Sequence, residues 1–145
     1  MEIILERLVT FTPEIMQTIN NLLMQLNPDS KILSQEYAKD MIEGDSNRIF
    51  VARESVGNKI VGMLTLIIFC APSAKKGQLE DVVVDENYRG KGIGEKLIIA
   101  AINQAREENV KRLDLTSNPK RVAANSLYQR LGFKIRDTNV YRMEL

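Results

Sequence analysis

Apolar residues recur along the chain with two different spacings, and these spacings predict most of its secondary structure. Residues 15–26 carry apolar side chains at helical intervals, directly after Thr12-Pro13, which supplies an N-cap and a proline at the first helical position. A second helix is expected between a Ser34 cap and Gly44. Its inward-facing residues are predicted to be Tyr37, Ala38, Met41 and Ile42.

Strands are predicted for the middle of the chain. Apolar and β-branched runs indicate strands over residues 2–10, 48–53, 59–70 and 77–85, and Ser55-Val56-Gly57-Asn58 reads as a hairpin turn between the second and third. The run 59–70 is apolar almost throughout, which indicates burial on both faces. Cys70 at its end is therefore expected to be a buried, inert thiol.

The last third of the chain predicts two more helices and three strands. A helix over residues 93–106 ends at Asn109, and a strand follows over residues 112–116. Asn118-Pro119 begins a helix that runs to Leu131 and stops at Gly132. Residues 133–136 and 140–144 are expected to be closing strands. The order β-α-α-β-β-β-α-β-α-β-β predicts one α/β (α+β) domain over residues 1–145, with a mixed central sheet of about seven strands and about four helices.

Composition narrows the class of protein. A net charge of +1 over 145 residues offers no general attraction to nucleic acid or to a membrane. The single cysteine excludes an internal disulfide and favours the reducing cytoplasm, and residues 1–7 lack a signal-peptide pattern. The absence of histidine excludes Ser-His-Asp and Cys-His nucleophile pairs and removes the commonest zinc ligand, so no metal site is expected.

A glycine-rich turn, Arg89-Gly90-Lys91-Gly92-Ile93-Gly94, joins the strand at 77–85 to the helix at 93–106. The first N–H groups of a helix lack intrahelical partners and carry the positive end of the helix dipole, so such a turn suits a phosphate group. Glycine lets the backbone approach a ligand closely, and Arg89 and Lys91 add positive charge. The sequence therefore predicts a bound pyrophosphate.

Three kinds of pyrophosphate site use turns of this sort. A nucleoside-triphosphate P-loop needs Lys-Ser or Lys-Thr after the glycines, and this chain has neither there. A dinucleotide fold needs G-x-G-x-x-G after a parallel unit, whereas Gly90, Gly92 and Gly94 are spaced differently and follow a predicted hairpin. The third kind of site holds the pyrophosphate of coenzyme A.

Two segments carry a resemblance to a known family. Residues 82–94 are similar to the acetyl-CoA signature of the GNAT N-acetyltransferase superfamily, [QR]-x-x-G-x-[GA], which is met by Arg89, Gly92 and Gly94. Residues 124–133 resemble the second signature of that family, A-x-x-L-Y-x-x-x-G-F. The predicted element order also resembles the family, so the likeness extends over nearly the whole chain.

The resemblance implies acetyl-CoA as the acyl donor and a set of residues that bind it. In the family the strand before the turn is splayed from its neighbour, and its free backbone groups pair with the pantetheine arm, which implies an N–H near Val83 as an oxyanion donor. The implied cofactor-binding residues are Val82, Val83, Val84, Arg89, Gly90, Lys91, Gly92, Ile93, Gly94, Glu95 and Asn125.

Two residues are implied as catalytic groups. Glu80 is favoured as the general base over Asp81; strict strand alternation would place Glu80 on one face with Val82 and Val84, and Asp81 on the other face with Leu79 and Val83. A strand-end carboxylate paired with a cation is the alternative for Glu80. Tyr128 matches the family tyrosine that protonates the coenzyme A thiolate, and an aromatic ring covering the rim of the core is its alternative.

The resemblance thus implies an N-acetyltransferase that moves an acetyl group to a primary amine by direct attack in a ternary complex. A non-catalytic acyl-CoA-binding or regulatory module, and an acyltransferase for a longer acyl-CoA, are the alternatives. The acceptor is either a small-molecule amine or a protein amino group, and no nucleic acid or membrane partner is expected. Homodimerisation through the C-terminal strands is a further hypothesis.

Overall fold

A five-stranded mixed sheet organises the larger part of the computed structural model, which describes residues 1–145. The strand order follows the chain; the first four strands are antiparallel, and the fourth and fifth are parallel. The mixed sheet predicted from the sequence is confirmed, with five strands in place of about seven. The strands are β1 (Ile3–Leu8), β2 (Asn47–Glu54), β3 (Ile60–Ala71), β4 (Ala74–Val84) and β5 (Arg112–Asp114).

The chain forms two compact units, Met1–Leu115 and Thr116–Leu145. The first unit holds the sheet and three helices: α1 (Pro13–Leu26), α2 (Gln35–Glu43) and α3 (Ile93–Glu107). The predicted caps of α1 and α2 are confirmed, because Thr12 Oγ1 accepts from the Ile15 N–H at 3.3 Å and Ser34 Oγ accepts from the Tyr37 N–H at 3.1 Å.

Helices cover both faces of the sheet. On one face, α1 and α2 pack on a core that includes Ile19, Ile42, Val51, Met63 and Val83. On the other face, α3 lies so close to β3 that a Cβ on Gly62 would come within 3.2 Å of Leu97. No helix of the chain is long and apolar enough to cross a membrane.

The second unit contains one helix, α4 (Val122–Arg130), which begins later than predicted. Asn118 forms a local turn in place of the expected cap: its Oδ1 accepts from the Lys120 N–H at 2.9 Å and its carbonyl accepts from the Arg121 N–H at 3.0 Å. The predicted stop is confirmed by Gly132, which has a φ of 104° after the helix.

The two predicted closing strands, residues 133–136 and 140–144, are wrong. Neither segment pairs with another strand, and their apolar side chains are exposed, Ile135 at 87% and Tyr141 at 86%. Alternating hydrophobicity favours an extended segment, but a strand requires ladder hydrogen bonds to a neighbour.

Two predicted burials are also wrong. Tyr37 is 61% exposed because the short helix α2 buries a narrower stripe, formed by Ala38 and Ile42. Cys70 is exposed, since β3 is buried mainly in its first half and continues into a hairpin with β4 beyond the covering helices.

Candidate functional site

The edge of the sheet is open beside the second half of β4. Strand β5 pairs with β4 only from Lys76 to Gln78, so residues 79–84 have β3 as their single neighbouring strand. Along this stretch, alternate residues direct their N–H and C=O groups away from β3, toward an edge that no strand occupies. The three valines predicted to pair with an extended ligand, Val82, Val83 and Val84, all lie in this stretch.

A β-bulge interrupts β4 at the same place. Thr65 pairs with Glu80 and Met63 pairs with Val83, so Asp81 and Val82 together face one residue of β3, and Asp81 adopts a left-handed φ of 51°. Thr65 and Met63 share a face, and Glu80 therefore lies on the same face as Val83. The face assignment from strict alternation is wrong, because one extra residue reverses it.

The two carboxylates of this strand have different surroundings. Glu80 Oε1 accepts a hydrogen bond from Gln78 Nε2 at 2.6 Å, on the face that α1 covers. The Asp81 side chain is largely solvent-accessible and has no hydrogen-bond or ion-pair partner. Desolvation by nearby protein atoms nevertheless raises the pKa of Asp81 above its usual value.

The glycine-rich turn follows β4 after a short 3-10 helix, Glu86–Tyr88. Gly90 and Gly92 have φ values of 76° and 77°, and a Cβ on either would meet no protein atom within 4 Å. Gly92 is the N-cap of α3, and because it has no side chain it cannot accept a hydrogen bond from the N–H groups of the first turn. The N–H groups of Ile93 and Gly94 thus remain available beside open space.

The charged residues of the turn are partly held in place. Arg89 Nε donates to the Val84 carbonyl at 3.0 Å, which leaves the terminal guanidinium nitrogens without partners. Lys91 Nζ lies 5.4 Å from the centroid of the Tyr88 ring, a cation–π distance. Glu95 lies in the first turn of α3, where an acidic side chain favours the helix dipole. This turn suits the pyrophosphate of coenzyme A. It offers free backbone N–H groups, open space beside Gly90 and Gly92, and unpaired guanidinium donors.

The sequence prediction missed residues that anchor this turn. Asp85 is buried, at 9% exposure, and its Oδ1 accepts from the Asn87 N–H at 2.9 Å. Gln25 of α1 contacts the same segment through both ends of its amide. The sequence did contain a signal for Gln25. Gln25 is a polar residue three positions after buried Leu22, which places it on the apolar side of α1.

In the second unit, Tyr128 and Asn125 lie on α4. The Tyr128 ring is 6% exposed and makes an edge contact with Phe133 at a centroid distance of 6.1 Å, while its hydroxyl makes no hydrogen bond. Asn125 Nδ2 donates to the Asn118 carbonyl at 2.9 Å, so this amide supports the turn before α4 and keeps its Oδ1 free.

The chain is similar to known proteins over most of its length. The family model described as Acetyltransferase (GNAT) family matches residues 16–133. The glucosamine 6-phosphate N-acetyltransferase of Trypanosoma brucei brucei is 33% identical over 90 residues, which are 60% of this chain and 58% of that protein. The mycothiol acetyltransferase of Propionibacterium freudenreichii is 26% identical over 125 residues, 84% of this chain and 40% of that protein.

Solved structures extend the likeness to the whole fold. The crystal structure of an acetyltransferase of Trypanosoma brucei aligns with 99% of this chain and 100% of its own, with a TM-score of 0.80 and 25% identity. The chain thus matches that structure over its full length, whereas it spans less than two thirds of the two curated relatives.

Proposed function

Because the chain belongs to the GNAT family of acetyltransferases, we propose that it transfers an acetyl group from acetyl-CoA to the primary amine of a small molecule, by direct attack in a ternary complex. The observation that carries the proposal is the open edge of β4 directly before a helix N-terminus with no side-chain cap. Residues 1–145 act as one catalytic domain in this proposal, which is supported by a family match that runs through both compact units.

The donor site follows from the backbone groups. The free edge of residues 82–84 offers hydrogen bonds to the amides of the pantetheine arm, and the N–H groups of the glycine-rich turn receive the pyrophosphate. The unpaired guanidinium nitrogens of Arg89 add charge-assisted hydrogen bonds. Asn125 contributes its free Oδ1 to the same substrate in this proposal.

The chemistry is assigned to three groups. The Glu80 carboxylate takes a proton from the acceptor ammonium, and the neutral amine nitrogen attacks the thioester carbonyl carbon. A backbone N–H near Val83, on a residue whose N–H faces the open edge, stabilises the oxyanion while the C–N bond forms, and the C–S bond then breaks. The attacking nitrogen loses its second proton to water as the C–S bond breaks. The leaving thiolate takes a proton from the Tyr128 hydroxyl, which is free of other hydrogen bonds, and water returns the nitrogen's proton to the tyrosinate.

The acceptor class rests on the relatives. Those proteins are named for glucosamine 6-phosphate and mycothiol, which favours a small acceptor over a protein amino group. Glucosamine 6-phosphate is the first amine to test. The lone cysteine favours a reducing compartment, so we place the reaction in the cytoplasm. The exposed apolar tail, including Ile135 and Tyr141, is the candidate surface for a homodimer.

A pair of glycine substitutions tests the donor site. Gly92→Ala places a Cβ in the cradle at a φ of 77°, and we expect calorimetric affinity for acetyl-CoA to fall at least about tenfold. Gly57→Ala is the matched control, because Gly57 has a φ of 84° and equally open surroundings but lies in the β2–β3 hairpin turn. Equal affinity in the two variants contradicts the proposed donor site.

A turnover assay separates the alternative functions. Thiol release from acetyl-CoA is followed with glucosamine 6-phosphate, other small amines and a lysine peptide as acceptors. Release with a small amine supports the proposal, and release with the peptide alone moves the acceptor to proteins. Tight binding of acetyl-CoA without thiol release on any acceptor favours a non-catalytic binding module. Competition with longer acyl-CoA esters tests the chain-length alternative.

A further inference from the structure

Helix α1 is tied to the segment that leads into the glycine-rich turn by the side chain of Gln25. Gln25 Oε1 accepts from the Glu86 N–H at 2.8 Å, and Gln25 Nε2 donates to Asp85 Oδ2 at 3.4 Å. Both contacts join residues about 60 positions apart in sequence, so they form only in the folded chain. We propose that Gln25 is a positioning residue that holds the acetyl-CoA turn in its binding conformation; this rests on the proposed function.

The contact is needed because Asp85 is a buried charge. Asp85 is 9% exposed, and a buried carboxylate is costly unless its oxygens accept hydrogen bonds. Oδ1 accepts from the Asn87 N–H at 2.9 Å, which leaves Oδ2 for Gln25 and for Lys59 Nζ at 3.9 Å. The Lys59 side chain is 55% exposed, so its ion pair is weak, and Gln25 is the partner supplied from a packed helix.

Asp85 in turn sets the path of the following residues. Its N–H donates to the Val61 carbonyl at 2.8 Å, and its carbonyl accepts from the Tyr88 N–H at 2.8 Å, which closes the 3-10 turn. Two lysine side chains contact the Tyr88 ring at cation–π distance. Lys59 Nζ lies 5.3 Å and Lys91 Nζ 5.4 Å from the ring centroid. Fixing residues 85–88 therefore also places the ring that Lys91 contacts.

The Tyr88 hydroxyl has an acidic neighbour. Desolvation and the nearby Glu54 carboxylate at the end of β2 raise the pKa of Tyr88. The segment between β4 and α3 is attached by hydrogen bonds to α1 and β3, and Gln25 provides the attachment to α1. Removing Gln25 leaves the Glu86 N–H without a protein acceptor, and it leaves Asp85 Oδ2 with only the weak Lys59 ion pair. The segment therefore gains freedom to leave its binding conformation.

Loss of that conformation lowers apparent affinity without changing the chemistry. The apparent Kd equals the intrinsic Kd divided by the fraction of chains with a competent turn, so a tenth of chains competent gives a tenfold weaker Kd. A bound substrate restores the conformation, and the rate at saturation is then unchanged. A positioning role therefore predicts a change in KM for acetyl-CoA with kcat preserved, which loss of a catalytic group does not produce.

The test compares Gln25→Leu with Gln17→Leu. Gln17 is an exposed residue of the same helix without a hydrogen bond, so the control makes the same chemical change outside the contact. In Gln25→Leu we expect the Kd and KM for acetyl-CoA to rise about tenfold and kcat at saturation to stay within about twofold. Amide hydrogen exchange of residues 85–92 in the ligand-free chain should be faster than in wild type, and Gln17→Leu should match wild type in every measurement.

The outcomes separate this inference from the proposed function. Wild-type protein that fails to bind acetyl-CoA contradicts the proposed function, while the hydrogen-exchange comparison still tests the contact. Unchanged exchange or unchanged Kd in Gln25→Leu overturns the positioning role, and so does a loss of kcat with KM unchanged. If Gln25→Leu does not fold, Asp85→Asn removes the acceptor of Gln25 Nε2 and keeps Oδ1 for the Asn87 N–H. That variant should show the same changes at smaller size, and wild-type values in it overturn the inference.

Discussion

The ion pair between Arg48 and Glu108 gives a prediction of stability against pH. Arg48 Nε and one terminal nitrogen donate to the two Glu108 oxygens at 2.9 and 2.6 Å, which ties β2 to the end of α3. The hydrogen bond from Arg48 is the main cause that lowers the pKa of Glu108 from 4.5 to about 2, and a further bond from Gln104 at 2.8 Å acts in the same direction.

The pKa sets the size of the effect. A fall from 4.5 to about 2 is about 2.5 units, which at 1.36 kcal/mol per unit is an upper value of about 3 kcal/mol. The two side chains are 14% and 22% exposed, so solvent screens part of this interaction, and we expect about 1.5 kcal/mol. Because the folded pKa is lowered, this stability is present above pH 4.5 and is lost as the pH falls toward 2.

Glu108→Gln tests this reasoning by urea unfolding, followed by circular dichroism at several pH values. At pH 7 its free energy of unfolding should lie about 1.5 kcal/mol below wild type, and the gap should narrow steadily below pH 4.5. Glu107→Gln is the control, because Glu107 is the exposed neighbour with no partner. A gap of equal size at pH 7 and pH 3, or no gap at pH 7, refutes the assignment. Affinity for acetyl-CoA should not change, since α3 has 15 residues and Glu108 follows its far end.

Three further predictions concern the site and the sheet. Glu80→Gln should lower kcat about a hundredfold with the KM for acetyl-CoA unchanged. Asp81→Asn should keep a kcat near wild type, because asparagine tolerates the φ of 51° at this position. A larger loss of kcat in Asp81→Asn than in Glu80→Gln makes Asp81 the base. Tyr128→Phe should lower kcat without changing the melting temperature, because the hydroxyl makes no hydrogen bond, and an unchanged kcat removes its acid role. Gly77→Ala should lower the free energy of unfolding in urea by about 1–3 kcal/mol, since its Cβ would come within 2.6 Å of Leu113 on β5. Wild-type stability in this variant would show that the Leu113 side chain moves aside at no cost.

Local sequence signals predicted the elements that carry the turn. The caps at Thr12 and Ser34 and the start of α3 after Gly92 lie where the sequence predicted them. The family resemblance, confirmed by the match over residues 16–133, also came from short motifs. Each of these signals depends on a few neighbouring residues, such as a hydroxyl at a helix start or a glycine at positive φ.

The sequence did not predict the structural features that depend on pairing with a distant segment. Alternation gave the wrong face for Val83, because the bulge at Asp81 appears only when β4 pairs with β3. The residues 133–136 and 140–144 have strand-like alternation, but no neighbouring strand completes a ladder.

The sequence by itself determined the caps, the glycine-rich turn and the family of the chain, since helix starts and close backbone approach are local properties. Tertiary structure decided which face Glu80 occupies, where β5 leaves β4 and that Gln25 contacts Asp85. These depend on register and on contacts between residues far apart in sequence, which form only when the sheet and helices pack together.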